Sequence, residues 1–193
     1  MAVSIQLNRK TKETDIRLQL DVDGNRQVSV RTGLAFFDHM LEQLAFHAGW
    51  NLTIDATGDI DVDDHHMIED VAIVIGDALN QVRQARPGLA RYGQRLLPMD
   101  ETLVLCAVDL SGRPAAVIDL PFKRDAIANI ATEMWPHFFK TLAIRGQFAL
   151  HIKTEYFENH HHLIEAAFKA LARALREALS VQTSEVTSTK GVL

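Results

Sequence analysis

Two short segments of the chain carry the same arrangement of histidines and a glutamate. The sequence is "DDHHMIED" at residues 63–70 and "NHHHLIEA" at residues 159–166, so His-His-x-x-Glu occurs twice. Imidazole nitrogens and carboxylate oxygens together suit divalent Mn, Fe, Co and Zn. Repeating these polar groups costs desolvation energy unless something pairs with them. The pattern therefore predicts metal binding, and the lack of cysteine in both segments argues against a structural zinc site.

Helical spacing decides which of these side chains can share an ion. His65 and Glu69 are four residues apart, so they lie on one face of a helix and can hold one ion. His66 is turned by about 100° from His65 and points elsewhere. The same division separates His162 from the pair formed by His161 and Glu165. Each helix is therefore predicted to serve two metal ions.

The segments around the first signature predict the elements that position it. Ile16, Leu18, Leu20 and Val22 alternate as in a strand, "DGN" turns the chain, and "RQVSVRT" returns as a second strand. "LAFFDHMLEQLAFH" has helical spacing and ends at Gly49. "WNLTIDAT" alternates again, and a second helix runs from His65 to "RPG". The predicted order is strand, strand, helix, strand, helix.

The second half of the chain repeats this order. "TLVLCAVDL" and "PAAVIDL" flank a Ser-Gly turn, and "AIANIATEMWPHFFKTLAI" is predicted to be helical apart from its proline. "QFALHIKT" is a predicted strand, and "HHLIEAAFKALARALREAL" is a long amphipathic helix. "DHMLEQLAFHAGW" aligns with "PHFFKTLAIRGQF", which places His39 on His137. The alignment also places the first His-His-x-x-Glu signature on the second.

This internal similarity indicates a duplicated unit with approximate twofold symmetry. We predict an α/β (α+β) fold of two β-β-α-β-α halves, in which a sheet packs against helices. The repeats are predicted at about 10–88 and 98–180, within one domain over residues 1–193, with the boundary near "RPGLARYGQRLLPMD". Residues 181–193 are polar and are predicted to form a flexible tail.

Composition narrows the class of protein further. The 193 residues are 47% hydrophobic, which is ample for a buried core. The formal charge of -5 gives no reason to expect nucleic acid or an anionic membrane as a partner. The N-terminal segment has no apolar signal region, and no apolar run has membrane-spanning length. The single cysteine, Cys106, excludes an internal disulfide, and these features predict a cytoplasmic protein.

Several motifs in order resemble one known enzyme family. "FFDHMLEQLAFH", "DDHHMIEDVAIVIGDAL", "VDLSGRP", "HHLIEAAFKALARALR" and the terminal "STKGV" together resemble imidazoleglycerol-phosphate dehydratase. The resemblance extends from "RKTKET" to the end of the chain. It implies a dehydratase of histidine biosynthesis that converts imidazole glycerol phosphate to imidazole acetol phosphate. It also implies two Mn²⁺ ions per active site and a homo-oligomer of 24 subunits built from trimers, with active sites between subunits.

The resemblance assigns roles to residues that match the motifs. The metal ligands it implies are His39, His65, His66, Glu69, His137, His161, His162 and Glu165. The phosphate contacts it implies are Arg91, Arg113, Ser188 and Lys190, and the remaining substrate-pocket residues are Glu13, Gln43, His47 and Lys169. Glu13 is the candidate catalytic acid and base, and His47 the candidate assistant in proton transfer. The tail that carries Lys190 would fold over the bound phosphate and act as a lid that excludes water.

Some residues beside these motifs receive an ordinary interpretation. Pro136 departs from the family, which more usually has an acidic residue before this histidine. His160 is interpreted as a surface residue at a helix start, and His151 as strand surface. Asp100 and Glu101 begin a strand and are interpreted as structural.

Helix faces also divide the predicted ligands between two ions. Each ion is predicted to bind the His/Glu pair of one helix face together with the remaining histidine of the other repeat's signature. The first ion would then have the ligands His65, Glu69, His162 and His137, and the second ion His161, Glu165, His66 and His39. From the sequence alone, His39 and His137 could each serve either ion. Four ligands leave two open positions on an octahedral ion for a substrate ring nitrogen and an oxygen.

The chemistry explains why a dehydratase would need two metals. The proton to be removed is next to the departing hydroxyl, no carbonyl acidifies it, and the substrate's imidazole is the only electron sink. Two ions that flank the ring would act as Lewis acids and templates. Two other classes remain open: a di-metal hydrolase with the same ligand types, and a non-catalytic metal-storage protein. Neither explains the arginine and "STKG" motifs together with the imidazole of the substrate.

Overall fold

Each half of the chain contains a four-stranded sheet and two helices. The computed structural model describes residues 3–183. In the first half the elements are β1 (Ser4–Lys10), β2 (Thr14–Asp21), β3 (Val28–Arg31), α1 (Ala35–Ala48), β4 (Asn51–Gly58) and α2 (His65–Ala85). In the second half they are β5 (Tyr92–Met99), β6 (Thr102–Asp109), β7 (Ala115–Asp119), β8 (Ala126–Ile127), β9 (Ile130–Ala131), α3 (Met134–Gly146), β10 (Ala149–Tyr156) and α4 (His160–Ala178).

The two sheets have the same topology, which confirms the predicted duplication. Their strand orders are β1-β2-β4-β3 and β5-β6-β10-β7, so equivalent strands occupy equivalent places. β3 pairs parallel to β4 in the first sheet, and β7 pairs parallel to β10 in the second. All other strand pairs of the two sheets are antiparallel. The predicted α/β (α+β) class is confirmed. Inward-facing residues of both sheets and the buried helix faces form one hydrophobic cluster.

Each four-stranded sheet has one strand more than the sequence analysis predicted. The extra strands are β1 and β5, which lie at the sheet edges. β5 contains Gly93 and Pro98 and lies in the segment near which the sequence analysis places the boundary between the repeats. An edge strand tolerates proline, because one side of it has no partner strand to bond. Gly93 is required here, since a Cβ at this position would lie 2.0 Å from the carbonyl oxygen of Ala174 in α4.

The hairpin predicted around residues 23–25 is wrong. β4 lies between β2 and β3, and β3 runs parallel to β4. The side chain of Asn51, at the start of β4, accepts hydrogen bonds from the backbone N–H groups of Asn25 (2.8 Å) and Gln27 (2.9 Å). These bonds hold the connecting loop over the end of β4, so the chain continues along the far edge of that strand.

The helix predicted over residues 126–144 is wrong in its first part. Ala126–Ile127 and Ile130–Ala131 form a short antiparallel hairpin, and α3 begins only at Met134. Ile127 and Ile130 are both buried, and their spacing of three imitates a helix face. Pro136 falls in the first turn of α3, where its missing N–H would have no helical partner in any case. The hairpin contacts α2 through the Ala131 N–H, which donates to the Asp64 carboxylate at 2.9 Å.

The helices pair across the two halves, and this pairing positions the histidines. α1 packs against α4, and α2 packs against α3. Gly76 lies at the second contact, where a Cβ would be 2.9 Å from the carbonyl oxygen of Leu142. Asp70 of α2 anchors the first sheet, because its buried carboxylate accepts from Arg9 (2.9 Å) and Thr14 (2.5 Å). Within residues 3–183, none of the helices combines the length and hydropathy needed to cross a bilayer.

Candidate metal centres

Helix pairing across the halves creates two groups of possible metal ligands. The first trio is formed by α2 and α3, and the second trio by α1 and α4. In each trio the candidate ligand atoms all lie within 4.8 Å of one another. The first trio consists of His65, Glu69 and His137, and the second trio consists of His39, His161 and Glu165. The structure thus joins each helix-face pair to the histidine that the sequence analysis had assigned to it.

The first trio points both imidazoles at one carboxylate. Nε2 of His65 is 3.6 Å from one oxygen of Glu69, and Nε2 of His137 is 3.3 Å from the other. The two rings lie 4.9 Å apart. Nε2 of His137 is buried and makes no hydrogen bond within the described residues. A buried, unbonded nitrogen costs free energy, and a metal ion between these atoms would satisfy it.

The second trio has the same ligand types and an added cation, but both of its imidazoles face one oxygen of the carboxylate. Oε2 of Glu165 lies 3.0 Å from Nε2 of His161 and 3.5 Å from Nε2 of His39. Its Oε1 accepts from the Lys169 ammonium at 2.6 Å. Burial opposes ionisation of Glu165, but the Lys169 charge and the His161 hydrogen bond outweigh it and lower its pKa. The carboxylate is therefore ionised at neutral pH and available as a ligand.

The donor set and its spacing fit a divalent cation. Ligand atoms about 2.1 Å from one ion lie about 3 to 4 Å apart, and the N···O separations of 3.0 to 3.6 Å fall in that range. Two imidazoles with one carboxylate suit Mn, Fe, Co or Zn. Cys106 is buried inside β6, where burial raises the pKa of its thiol, so it is not a competing thiolate ligand.

The other two predicted ligands lie outside the trios of this chain. Nδ1 of His66 is 3.0 Å from Asp59, and Nδ1 of His162 is 2.9 Å from Glu101. The Asp59 hydrogen bond raises the pKa of His66, because the carboxylate stabilises the charged ring. His162 instead groups with Asp100 and Glu101. The interpretation of Glu101 as merely structural missed this contact.

A sequence signal for Glu101 existed in the repeat. Glu13 and Glu101 each directly precede the threonine that begins the second strand of their half. Both carboxylates lie beside the histidine outside the trio, since Glu13 is 3.8 Å from Nε2 of His66. Asp59 differs in this respect, because the residue at the same distance before His162 is Glu155, which pairs with Lys153 at 3.1 Å and not with His162.

Three predicted substrate residues adjoin the second trio. His39, Gln43 and His47 are spaced by four along α1 and so share one face of that helix. Lys169 lies one turn beyond Glu165 on α4 and bonds it directly. Burial lowers the pKa of His47, and the charges of Lys169 and Arg173 lower it further. His47 is therefore neutral near pH 7 and able to accept a proton.

Arg91, one of the predicted phosphate residues, is remote from the second trio of the same chain. The Arg91 guanidinium pairs with Asp109 at 2.7 Å, and its backbone N–H donates to the carbonyl of Ala178. Ala178 is about 20 Å along α4 from Glu165, at 1.5 Å per residue. Arg113 is exposed in the turn that follows β6, next to Arg91, whose carbonyl accepts from the Leu110 N–H. Ser188 and Lys190 lie outside the described residues.

The segments that form the two trios also match a known protein family. Residues 32–175, which include both trios, match the family model described as "Imidazoleglycerol-phosphate dehydratase". The chain belongs to the imidazoleglycerol-phosphate dehydratase family. It is accordingly a hydro-lyase of histidine biosynthesis.

Relatives and solved structures agree with this assignment. The imidazoleglycerol-phosphate dehydratase of Chloroherpeton thalassium is 45% identical over 188 residues, which cover 97% of both chains. The enzyme of Caldicellulosiruptor bescii is 44% identical, again over 97% of both chains. The crystal structure of the Staphylococcus aureus dehydratase matches with a TM-score of 0.86 and 35% identity, covering 93% of this chain and all of that one. The crystal structure of the Pyrococcus furiosus dehydratase matches with a TM-score of 0.83 and 39% identity, covering 97% of this chain and all of that one.

Proposed function

We propose that this chain catalyses the Mn²⁺-dependent elimination of water from imidazole glycerol phosphate, giving imidazole acetol phosphate. The observation that supports this most strongly is the pair of trios, each with two imidazoles and one carboxylate. Each trio would hold one divalent cation, and together they would provide for two ions. We place the enzyme in the cytoplasm, where the buried thiol of Cys106 would remain reduced.

The metal ions would polarise the substrate, and the side chains would transfer the protons. When bound, the two ions supply Lewis-acid polarisation of the substrate's imidazole ring, the electron sink beside the departing hydroxyl. The Glu13 side chain is about half exposed, and its Oε1 lies 3.8 Å from Nε2 of His66. We assign to its carboxylate the transfer of the proton from carbon to the departing hydroxyl, which then leaves as water. Neutral His47 takes part in the proton movement beside Lys169.

The phosphate of the substrate requires donors of fixed geometry. Arg91 has this property, because Asp109 holds its guanidinium through two hydrogen bonds. Arginine binds phosphate oxygens in the same two-pronged manner. We assign phosphate binding to Arg91, Arg113, Ser188 and Lys190, and contact with the rest of the substrate to Glu13, Gln43, His47 and Lys169.

Product analysis tests this function directly. We expect the Mn-loaded protein to convert imidazole glycerol phosphate to imidazole acetol phosphate, and chelation to reduce turnover by about 1000-fold or more. Restoring Mn²⁺ should restore turnover, and Mg²⁺ serves as the control for ionic strength. Release of inorganic phosphate would instead indicate a di-metal hydrolase. Metal binding with no product at all would indicate metal storage.

We also propose that the active site is shared between copies of this chain, in a 24-subunit assembly built from trimers. His66 and His162 lie outside the trios of their own chain, and Arg91 lies about 20 Å from Glu165. A second copy could supply these groups to one trio. The outer face of the second sheet supports association, because Leu96 and Val117 there are 54% and 57% exposed.

The two sheets differ on their outer faces in a way that favours such contacts. The outer face of the first sheet carries exposed polar side chains such as Arg17, Gln19 and Asp55. The outer face of the second sheet carries Leu96 opposite Leu105 on neighbouring strands. Exposed apolar surface of this kind favours burial against another protein surface. We propose homo-oligomerisation and expect no nucleic-acid or membrane partner, because the formal charge of the chain is -5.

Sedimentation after metal removal tests the shared site. We expect the Mn-loaded protein to sediment as a particle of 24 subunits and the chelated protein to fall to trimers, because metal ligands would join the subunits. Adding Mn²⁺ back should regenerate the large particle, and adding Mg²⁺ at the same concentration should not. A protein that stays at monomer mass with Mn²⁺ bound and full activity would contradict the shared site.

A further inference from the structure

The two predicted ligands outside the trios are held in the same way. Asp59 Oδ2 lies 3.0 Å from Nδ1 of His66, and the two oxygens of Glu101 lie 2.9 and 3.1 Å from Nδ1 of His162. In each case Nε2 faces a different carboxylate at 3.8 Å, which is Glu13 for His66 and Asp100 for His162. Both halves therefore bond Nδ1 and leave Nε2 for another interaction.

This common arrangement was not inherited through the repeat. Asp59 precedes His66 by seven residues, and the residue seven before His162 is Glu155, whose carboxylate pairs with Lys153 at 3.1 Å instead. Glu101 precedes β6 and is equivalent to Glu13, which faces Nε2 of its histidine rather than Nδ1. The two halves thus reach one geometry with carboxylates from non-equivalent positions. A shared requirement on the two histidines explains this convergence better than common descent of the segments.

The backbone around Glu101 supports the same interpretation. Asp100 and Glu101 form the two-residue turn between β5 and β6, and Asp100 adopts a φ of 48°. A two-residue hairpin turn commonly requires this left-handed conformation, and aspartate is one of the few residues besides glycine that tolerate it. Glu101 also accepts from the backbone N–H of Asn159 at 3.1 Å, just before α4 begins. The turn therefore fixes the carboxylate against the helix end that carries His162.

We propose that Asp59 and Glu101 are positioning residues that hold His66 and His162 with Nε2 as the metal-binding nitrogen. A carboxylate that accepts a hydrogen bond from Nδ1 requires the proton to be there, and the lone pair is then on Nε2. Metal-bound histidines commonly have a carboxylate partner of this kind. The inference rests on the proposed function, since it takes both histidines as Mn²⁺ ligands.

Paired substitutions test this positioning role. Asp59→Leu and Glu101→Leu remove the acceptor, whereas Asp59→Asn and Glu101→Gln keep one neutral acceptor oxygen. We expect each leucine variant of the full-length protein to bind Mn²⁺ about 10- to 100-fold more weakly. The two amide variants should recover most of that affinity. The measurement is a titration in which free Mn²⁺ is counted by electron paramagnetic resonance.

A control separates positioning from a general effect on the fold. Glu177 of α4 also accepts a backbone hydrogen bond, from Gln94 at 3.1 Å, and contacts no predicted ligand. Glu177→Leu should leave Mn²⁺ affinity unchanged. Wild-type affinity in both leucine variants, or an equal loss in the amide and leucine variants, would overturn the inference. If the wild-type protein binds no Mn²⁺, the proposed function fails and the inference fails with it.

Discussion

Turnover by the Glu69→Gln variant is expected to fall by about 1000-fold or more, together with loss of one of the two Mn²⁺ ions. Glu69 is the carboxylate of the first trio and lies between His65 and His137, at 3.6 and 3.3 Å. Glutamine keeps the size of the side chain but removes the negative charge that a cation requires. The measurements are kcat on imidazole glycerol phosphate and Mn²⁺ per chain by elemental analysis.

The matching variant Glu165→Gln should lose the ion of the second trio with a similar fall in turnover. It should also leave the Lys169 ammonium without its charged partner, which lies 2.6 Å away. Glu42→Gln is the control, because Glu42 is exposed on α1 outside both trios. Full turnover in either trio variant, or retention of two ions per chain, would contradict the assignment of these carboxylates.

The Glu13→Gln variant is expected to keep both ions and to lose turnover by about 100- to 10,000-fold, the range for a general acid or base. The exchange should not disturb the local backbone. Thr11 Oγ1 accepts the backbone N–H groups of Glu13 and Thr14, so the turn is held by another side chain. kcat and the Mn²⁺ content of the same preparation are the two measurements.

Asp15→Asn is the control for the Glu13 experiment. Asp15 lies two residues away and pairs at 3.1 Å with Lys10, on the surface. This variant should turn over substrate at the wild-type rate. Near-normal turnover of Glu13→Gln would remove Glu13 from the mechanism. Loss of Mn²⁺ from Glu13→Gln would instead make Glu13 a metal ligand.

The spacing of residues along single helices was sufficient to predict which histidine and glutamate side chains face each other within α2 and within α4. His65 with Glu69, and His161 with Glu165, follow from the four-residue rule alone. Which helix carries the third ligand depends on how α1, α2, α3 and α4 pair, and that is a tertiary property. The repeat indicated His39 and His137 as candidates for the third ligand. The packing of α1 on α4 and of α2 on α3 determines which of them lies beside each His/Glu pair.

The errors in the predicted strands have local causes. β1 and β5 are edge strands with few buried residues, so polar side chains and a proline conceal their alternation. The hairpin error around residue 24 arose because the Asn51 side chain determines where the loop goes. A side-chain hydrogen bond between segments more than twenty residues apart leaves no periodic signal in the sequence.

Different causes explain why the sequence analysis missed Asp59 and Glu101. Glu101 and His162 are 61 positions apart, and their contact depends on the β5–β6 turn reaching the start of α4. Asp59 is only seven residues from His66, but one aspartate among several in residues 59–64 has no distinguishing pattern. The residues that would orient a ligand are therefore harder to predict than the ligands themselves.

An anomalous-scattering map of Mn-loaded crystals tests the two-metal account most directly. We expect two Mn²⁺ peaks per chain, one about 2.1 Å from the Nε2 atoms of the first trio and one at the same distance from those of the second. The ligands from His66 and His162 should come from a neighbouring copy of the chain. A single peak at full Mn²⁺ loading, or one ion bound by both His65 and His66, would contradict the account.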